Sequence, residues 1–139
     1  MEKDKEFRER IAPIVAADPR YRPAAYQFVA EAVGYTTRRR QDAPTASRHI
    51  SGQTLLDGFR DLALEQFGCL AGNVLTDWGI TRTEDVGNIV FHLVEHGLLG
   101  ASEKDSPTDF ADGFAFDEAF VRPFRPDTVP APEDLPKIA

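Results

Sequence analysis

SGQTLLDGFRDLALEQFGCLAGNVLTDWGITRTEDVGNIVFHLVEHGLLGASEKDSPTDFADGFAFDEAF, residues 51–120, is the stretch that decides the fold class. Ser51 is an N-cap residue type, and Leu55, Leu56, Phe59, Leu62, Ala63 and Phe67 follow at helical spacing until Gly68. Leu70, Val74, Leu75 and Trp78 predict a shorter helix over about 69–78, stopped by Gly79. Thr81 to Glu84 fits a capping box, and Val86, Ile89, Val90, Leu93 and Val94 predict a further helix closing at Gly97. A polar loop then leads to Phe110, Phe114, Phe116 and Phe120, with Phe114 and Phe116 on one face if the chain is extended, which predicts a β-hairpin. Three helices followed by a hairpin is the element order of a winged helix.

Outward from this stretch, Phe7, Ile11, Ile14 and Val15 predict a helix over about 4–17, which Asp18-Pro19 stops and which Pro13 interrupts. Pro23 suits the first turn of a second helix with Ala25, Phe28, Val29 and Ala32 on its apolar stripe. Arg38, Arg39 and Arg40 close it, where cations complement the helix dipole. Residues 41–47 read as a loop. The expected architecture is a mostly α single domain over residues 1–122, winged-helix-like in its C-terminal half, with a Pro-rich extended tail over 123–139. Phe59, Leu62, Trp78, Val90 and Leu93 are expected in one core.

Composition bounds the function. The 139 residues hold no apolar run of the roughly 18 to 20 residues that a spanning helix needs, and no secretory leader is legible, so a cytoplasmic protein without membrane contact is expected. Cys69 is the single cysteine; it excludes an intramolecular disulfide and is expected to be buried as a small residue near a helix start. Charge is divided unevenly. Residues 1–50 carry ten Lys and Arg against seven Asp and Glu, a net of +3, whereas residues 51–139 carry six against sixteen, a net of −10.

That asymmetry bears on the winged-helix shape. A DNA reader needs cations on its recognition helix and wing. The last helix instead offers Glu84, Asp85, Asn88, His92 and Glu95, and the loop sets Lys104 against Glu103, Asp105, Asp109 and Asp112. A nucleic-acid-binding regulator is therefore the alternative, and a protein partner the preferred reading.

Motifs for chemistry are few. His92-Leu-Val-Glu95-His96 matches the inverted zinc-peptidase pattern H-x-x-E-H, with both histidines one turn apart and Glu95 available as base. His96, however, sits directly before the Gly97 terminator, and a third ligand would have to come from Glu103, Asp105 or Asp109 in a loop. His92, Glu95 and His96 are the candidates for a metal-dependent hydrolase, with no metal or other cofactor expected. Asp105, Asp109 and Asp112-Gly113 do not have the alternating spacing of a calcium loop. There is no phosphate-binding glycine loop and no nucleophile elbow, and His49 beside Ser51 has no orienting acid near it in sequence, so no catalytic residue is assigned. Asp57, Asp61 and Glu65 form an acidic stripe that reads as a solvated face.

Arg48 to Gly68, Trp78-Gly-Ile, Thr83 to Phe91, Glu95-His-Gly-Leu-Leu and Phe116-Asp-Glu-Ala-Phe120, together with Pro23 to Val29, resemble a small uncharacterised bacterial protein family found mainly in the planctomycete and verrucomicrobial group. The likeness covers about residues 20–120. It implies a bacterial cytoplasmic protein and supplies no activity, so no functional residue is carried over.

The expected function is a non-catalytic protein–protein interaction or adaptor protein, with another protein or a second copy of itself as partner. Phe110, Phe114, Phe116, Phe120 and Phe124 are the expected interaction residues. Five phenylalanines in fifteen positions exceed what one face of a small hairpin hides. If residues 117–121 turn helical instead, all five could wrap onto the domain.

Overall fold

The computed structural model describes residues 2–41, 50–100 and 107–124. Five α-helices follow in order: α1 Glu2–Ala17, α2 Pro23–Gln41, α3 Gly52–Phe67, α4 Ala71–Asp77 and α5 Thr83–Glu95. A 3₁₀ turn at Gly68–Leu70 joins α3 to α4, and the C-terminal part forms helical turns at Pro107–Phe110, Asp117–Val121 and Arg122–Phe124. The protein is mostly α. Among the described residues no helix is long and apolar enough to cross a membrane. The tail from residue 125 onward lies outside the described residues.

Local chemistry explains the helix ends. Ser51 accepts a hydrogen bond from the Thr54 amide at 3.1 Å and caps α3. Gly68, Gly79 and Gly97, which the sequence marks as terminators, all have positive φ. Helix α1 runs through Pro13, whose ring faces solvent, and ends where the Asp18 amide bonds the Ile14 carbonyl at 2.9 Å. The start of α5 differs from the expected Thr81–Glu84 box. Its N-cap is Arg82, and the carboxylate of Asp85, one residue after Glu84, accepts from the amides of Thr81 and Arg82 at 2.9 and 3.2 Å.

Helix α2 is central. Its Ala25–Ala32 stripe and Tyr21 of the turn before it share one core with Ile11 and Ile14 of α1, Leu55, Phe59 and Leu62 of α3, and Ile89 and Leu93 of α5. Phe59, Leu62 and Leu93 are buried in one core, against which Trp78 and Val90 are half-buried. Phe28 is the hub of an aromatic group, with the rings of Phe59, Phe67 and Trp78 at 5.4, 5.5 and 5.7 Å.

Helices α2 and α3 touch where Gly58 faces Thr36. A Cβ on Gly58 would lie 1.8 Å from Thr36 Oγ1 and 3.0 Å from its Cβ, and Thr36 is fixed by a 2.7 Å bond to the Ala32 carbonyl. Helix propensity alone favours alanine over glycine by about 1 kcal/mol. Overpacking costs about 1 to 3 kcal/mol. Gly58→Ala should therefore destabilise by up to about 2 kcal/mol in denaturant melts, and a stabilised variant would show that the two helices separate freely.

The expected winged-helix hairpin does not form among the described residues. No strand occurs among the described residues, and residues 107–124 pass over α3, α4 and α5 as short helical turns. The physical reason is the surface they meet. Phe110 stands over Gly87 of α5, where a Cβ would come within 2.8 Å of it, and only a bare helix position admits a ring so close. The segment is then pinned by Gln53 Nε2 donating to the Asp109 carbonyl at 2.7 Å and by the Gly113 amide donating to Thr83 Oγ1 at 3.2 Å. These contacts bond the segment's backbone to α3 and α5, where a hairpin would bond it to itself.

Candidate functional site

The five phenylalanines have different fates. Phe110 and Phe120 are in the core at 4% and 1% exposure, and Phe114 and Phe116 are half-buried. Their rings form a compact group: Phe114 stacks on Phe116 at 5.6 Å, and Phe120 stands edge-on to both at 5.8 and 5.0 Å. Phe114 and Phe116 thus share a face without an extended chain, because the helical turn at Asp117–Val121 brings Phe120 back under Phe116. Only Phe124 is exposed, at 46%.

Two further large apolar residues are exposed on segments next to that of Phe124 in sequence or one segment removed from it in the fold. Val121, in the preceding turn, is 36% exposed, and Leu70, in the turn between α3 and α4 against which Asp117–Val121 rests, is 58% exposed. Val121 also lies over Gly72 of α4, where a Cβ would be 3.9 Å from its Cγ2. Charged groups border this face: Arg122 stands 3.7 Å from both Asp117 and Glu118. Cys69 beside Leu70 is exposed, not buried as expected, because it falls in the 3₁₀ turn and not on the inner stripe of a helix.

The histidine pair is drawn into two different settings. His92 Nδ1 is 3.0 Å from the Tyr26 hydroxyl, its ring lies nearly parallel to that tyrosine's, and Nε2 faces Asp18 at 3.6 Å. His96 is exposed, caps α5, and has Nδ1 2.9 Å from the His92 carbonyl. Glu95 points to solvent. Among the described residues no group of three or more His, Cys, Asp or Glu is placed to hold a metal ion. Glu103, Asp105 and His49 lie outside the described residues.

The α5 face that the sequence offers to solvent is also partly buried. Asp85 is buried and accepts from the Tyr21 hydroxyl at 2.6 Å, while Asn88 donates to that same hydroxyl at 3.0 Å. A 3.6 period read without tertiary contacts places these groups outside. The α1–α2 turn and the first turn of α2 cover them, since Tyr21 and Tyr26 reach across to α5.

This gives α5 two polar bridges which sequence reasoning missed, one from Tyr21 of the α1–α2 turn to Asp85 and Asn88 and one from Tyr26 of α2 and Asp18 of the turn to His92. The available signal was two tyrosines five residues apart on an apolar stripe, since a buried phenol needs a partner. Burial pushes the hydroxyl pKa of each tyrosine up to about 12, and the nearby Asp85 and Asp18 carboxylates act in the same direction. Arg20 holds Asp18 in a fork with contacts of 2.7 to 3.1 Å, and this hydrogen bonding lowers the Asp18 pKa to about 2. Both phenols are engaged and buried, so the bridges join helices.

One arginine of the triple, Arg39, meets one residue of the acidic stripe, Asp61. Arg39 bonds Asp61 at 2.8 Å and lies over the Tyr35 ring, fastening the end of α2 to α3. Arg60 adds contacts to Asp61 at 3.3 Å and Asp57 at 3.8 Å.

No protein-family model, curated protein or solved structure matches this chain.

Proposed function

We propose that this is a non-catalytic interaction or adaptor protein whose docking face is built from the turns at Asp117–Val121 and Arg122–Phe124 and the Gly68–Leu70 turn beside them. The observation that carries the reading is that the large apolar residues exposed among those described, Leu70, Val121 and Phe124, lie on three turns of which Asp117–Val121 contacts both others. Single exposed apolar residues are ordinary on protein surfaces, whereas grouped ones with a polar border mark contact sites. Asp117, Glu118 and Arg122 supply that border. The partner is a protein, another or a second copy of this chain, and the bacterial cytoplasmic setting implied by the family resemblance accommodates either.

Phe124→Ser combined with Val121→Asp tests this. Both side chains are exposed, so the melting temperature should stay within the change that about 0.5 kcal/mol produces. Self-association in sedimentation, or recovery of a specific partner by affinity purification from the native cell, should be lost. Association that survives the double substitution would place the interface elsewhere.

A further inference from the structure

Phe116, Phe120 and Phe124 recur every four residues. In a continuous α-helix residues four apart share a face, so these three would form one inward stripe with Phe120 at its centre. The segment starts that way. The Ala119 amide bonds the Ala115 carbonyl at 3.0 Å, four residues back, and Ala119 and Phe120 are buried. It does not continue that way. The Arg122 amide bonds the Asp117 carbonyl, five residues back, so Asp117–Val121 is a π-helical turn. Val121, Arg122, Pro123 and Phe124 are then exposed, four in succession, where an α-helical register would return the last two to the side of Phe120. Such turns are rare, occur mostly singly and are frequent at functional sites.

The local chemistry names a cause. Arg122 stands 3.7 Å from Asp117, five residues back, and 3.7 Å from Glu118, four residues back, so ion pairing favours neither register, and pairs this exposed contribute little. Pro123 does discriminate. It has no N–H to donate to the Ala119 carbonyl, and in an α-helix its ring would press on that carbonyl. Helix α1 passes Pro13 without a π turn, but Glu9, four residues before Pro13, is exposed, and a solvent-side carbonyl can tilt outward to make room. Ala119 is buried and has no such freedom. A wider turn before Pro123 moves the ring off that carbonyl.

We infer that Pro123 is the positioning residue of the docking face: it blocks the α register after Phe120, imposes the π turn and so turns Phe124 out of the phenylalanine group into solvent. The inference rests on the reading that Phe124 belongs to a docking face, and it states how that face is built. With another residue at 123, the four-residue period would seat Phe124 beside Phe120, and the domain would close without a projecting ring.

Pro123→Ala in the full ¹⁵N,¹³C-labelled chain tests this at an exposed position. The through-hydrogen-bond coupling of the Arg122 amide nitrogen should move from the Asp117 carbonyl carbon to that of Glu118. Nuclear Overhauser contacts should appear between the rings of Phe124 and Phe120. The relaxation that a soluble gadolinium chelate causes at the Phe124 ring protons should fall to the level at Phe120. Any association that Phe124→Ser weakens, Pro123→Ala should weaken as well, with no fall in melting temperature. A coupling that stays on the Asp117 carbonyl carbon, or a Phe124 ring still open to the chelate, would overturn the inference and assign the register to the seat of Phe120 and Val121 over Gly72. The docking reading fails separately, in the double substitution of Phe124 and Val121, which leaves the coupling result for Pro123→Ala untouched.

Discussion

Gly79→Ala should cost about 2 to 5 kcal/mol of stability in denaturant melts, more than a substitution adding one methyl group usually does. Two effects add. Gly79 has φ of +95°, a region in which a side chain is strained by about 1 to 2 kcal/mol. A Cβ there would also lie 2.1 Å from the Arg20 carbonyl oxygen, and overpacking adds about 1 to 3 kcal/mol. The obstacle is backbone and cannot rotate away. The α1–α2 turn is itself held against the α4–α5 turn by the Arg22 amide bonding the Trp78 carbonyl at 3.1 Å and by Arg22 Nε bonding the Asp77 carbonyl at 3.0 Å. Gly79→Asn separates the two effects. Asparagine tolerates positive φ better than alanine does, so a rescue by Asn would mean strain dominates, and an equal loss would mean the carbonyl contact does. A cost below about 1 kcal/mol for Gly79→Ala would show that the two turns move apart at little expense.

Alkaline unfolding should be steep between pH 10 and pH 12. An unfolded tyrosine releases its proton near pH 10, whereas Tyr21 and Tyr26 hold theirs to about 12 in the folded chain. Below pH 10 both states keep the proton and stability does not change. Above it the unfolded state ionises first, so each tyrosine withdraws up to about 2 to 3 kcal/mol as pH rises through 12. The two together approach half the stability of a small domain. Tyrosinate absorbance and circular dichroism should change together in one cooperative transition, and Tyr26→Phe should make the pH dependence shallower. Gradual ionisation of these tyrosines with the helical signal intact would show that their hydroxyls reach solvent in the folded state.

Both results bear on how α5 is held, and that is where sequence and structure part. The apolar periods of α3 and α5, the Ser51 cap and the stops at Gly68, Gly79 and Gly97 are local properties, and the sequence marks them directly. Phe59, Leu62 and Leu93 were legible as core because each lies on a stripe that has to be buried somewhere. The candidate site was legible only in part. Phe124 is exposed as an interaction residue would be, while Phe110 and Phe120 lie inside, because alternation predicts an extended chain only if nothing else offers the rings a seat.

What the sequence determined by itself is the set of helices, their apolar faces and the charge division between the two parts of the chain. What only the tertiary structure decided is which face of α5 is covered and what the C-terminal phenylalanines do. Asp85, Asn88 and His92 look solvent-facing until Tyr21 and Tyr26 cross over them, and the expected hairpin gives way to helical turns once Phe110 can sit on Gly87. Periodicity is set within a few residues of chain. Contacts spanning 64 to 67 residues, such as Tyr21 to Asp85 and Tyr21 to Asn88, depend on how helices cross, and no local pattern carries that information.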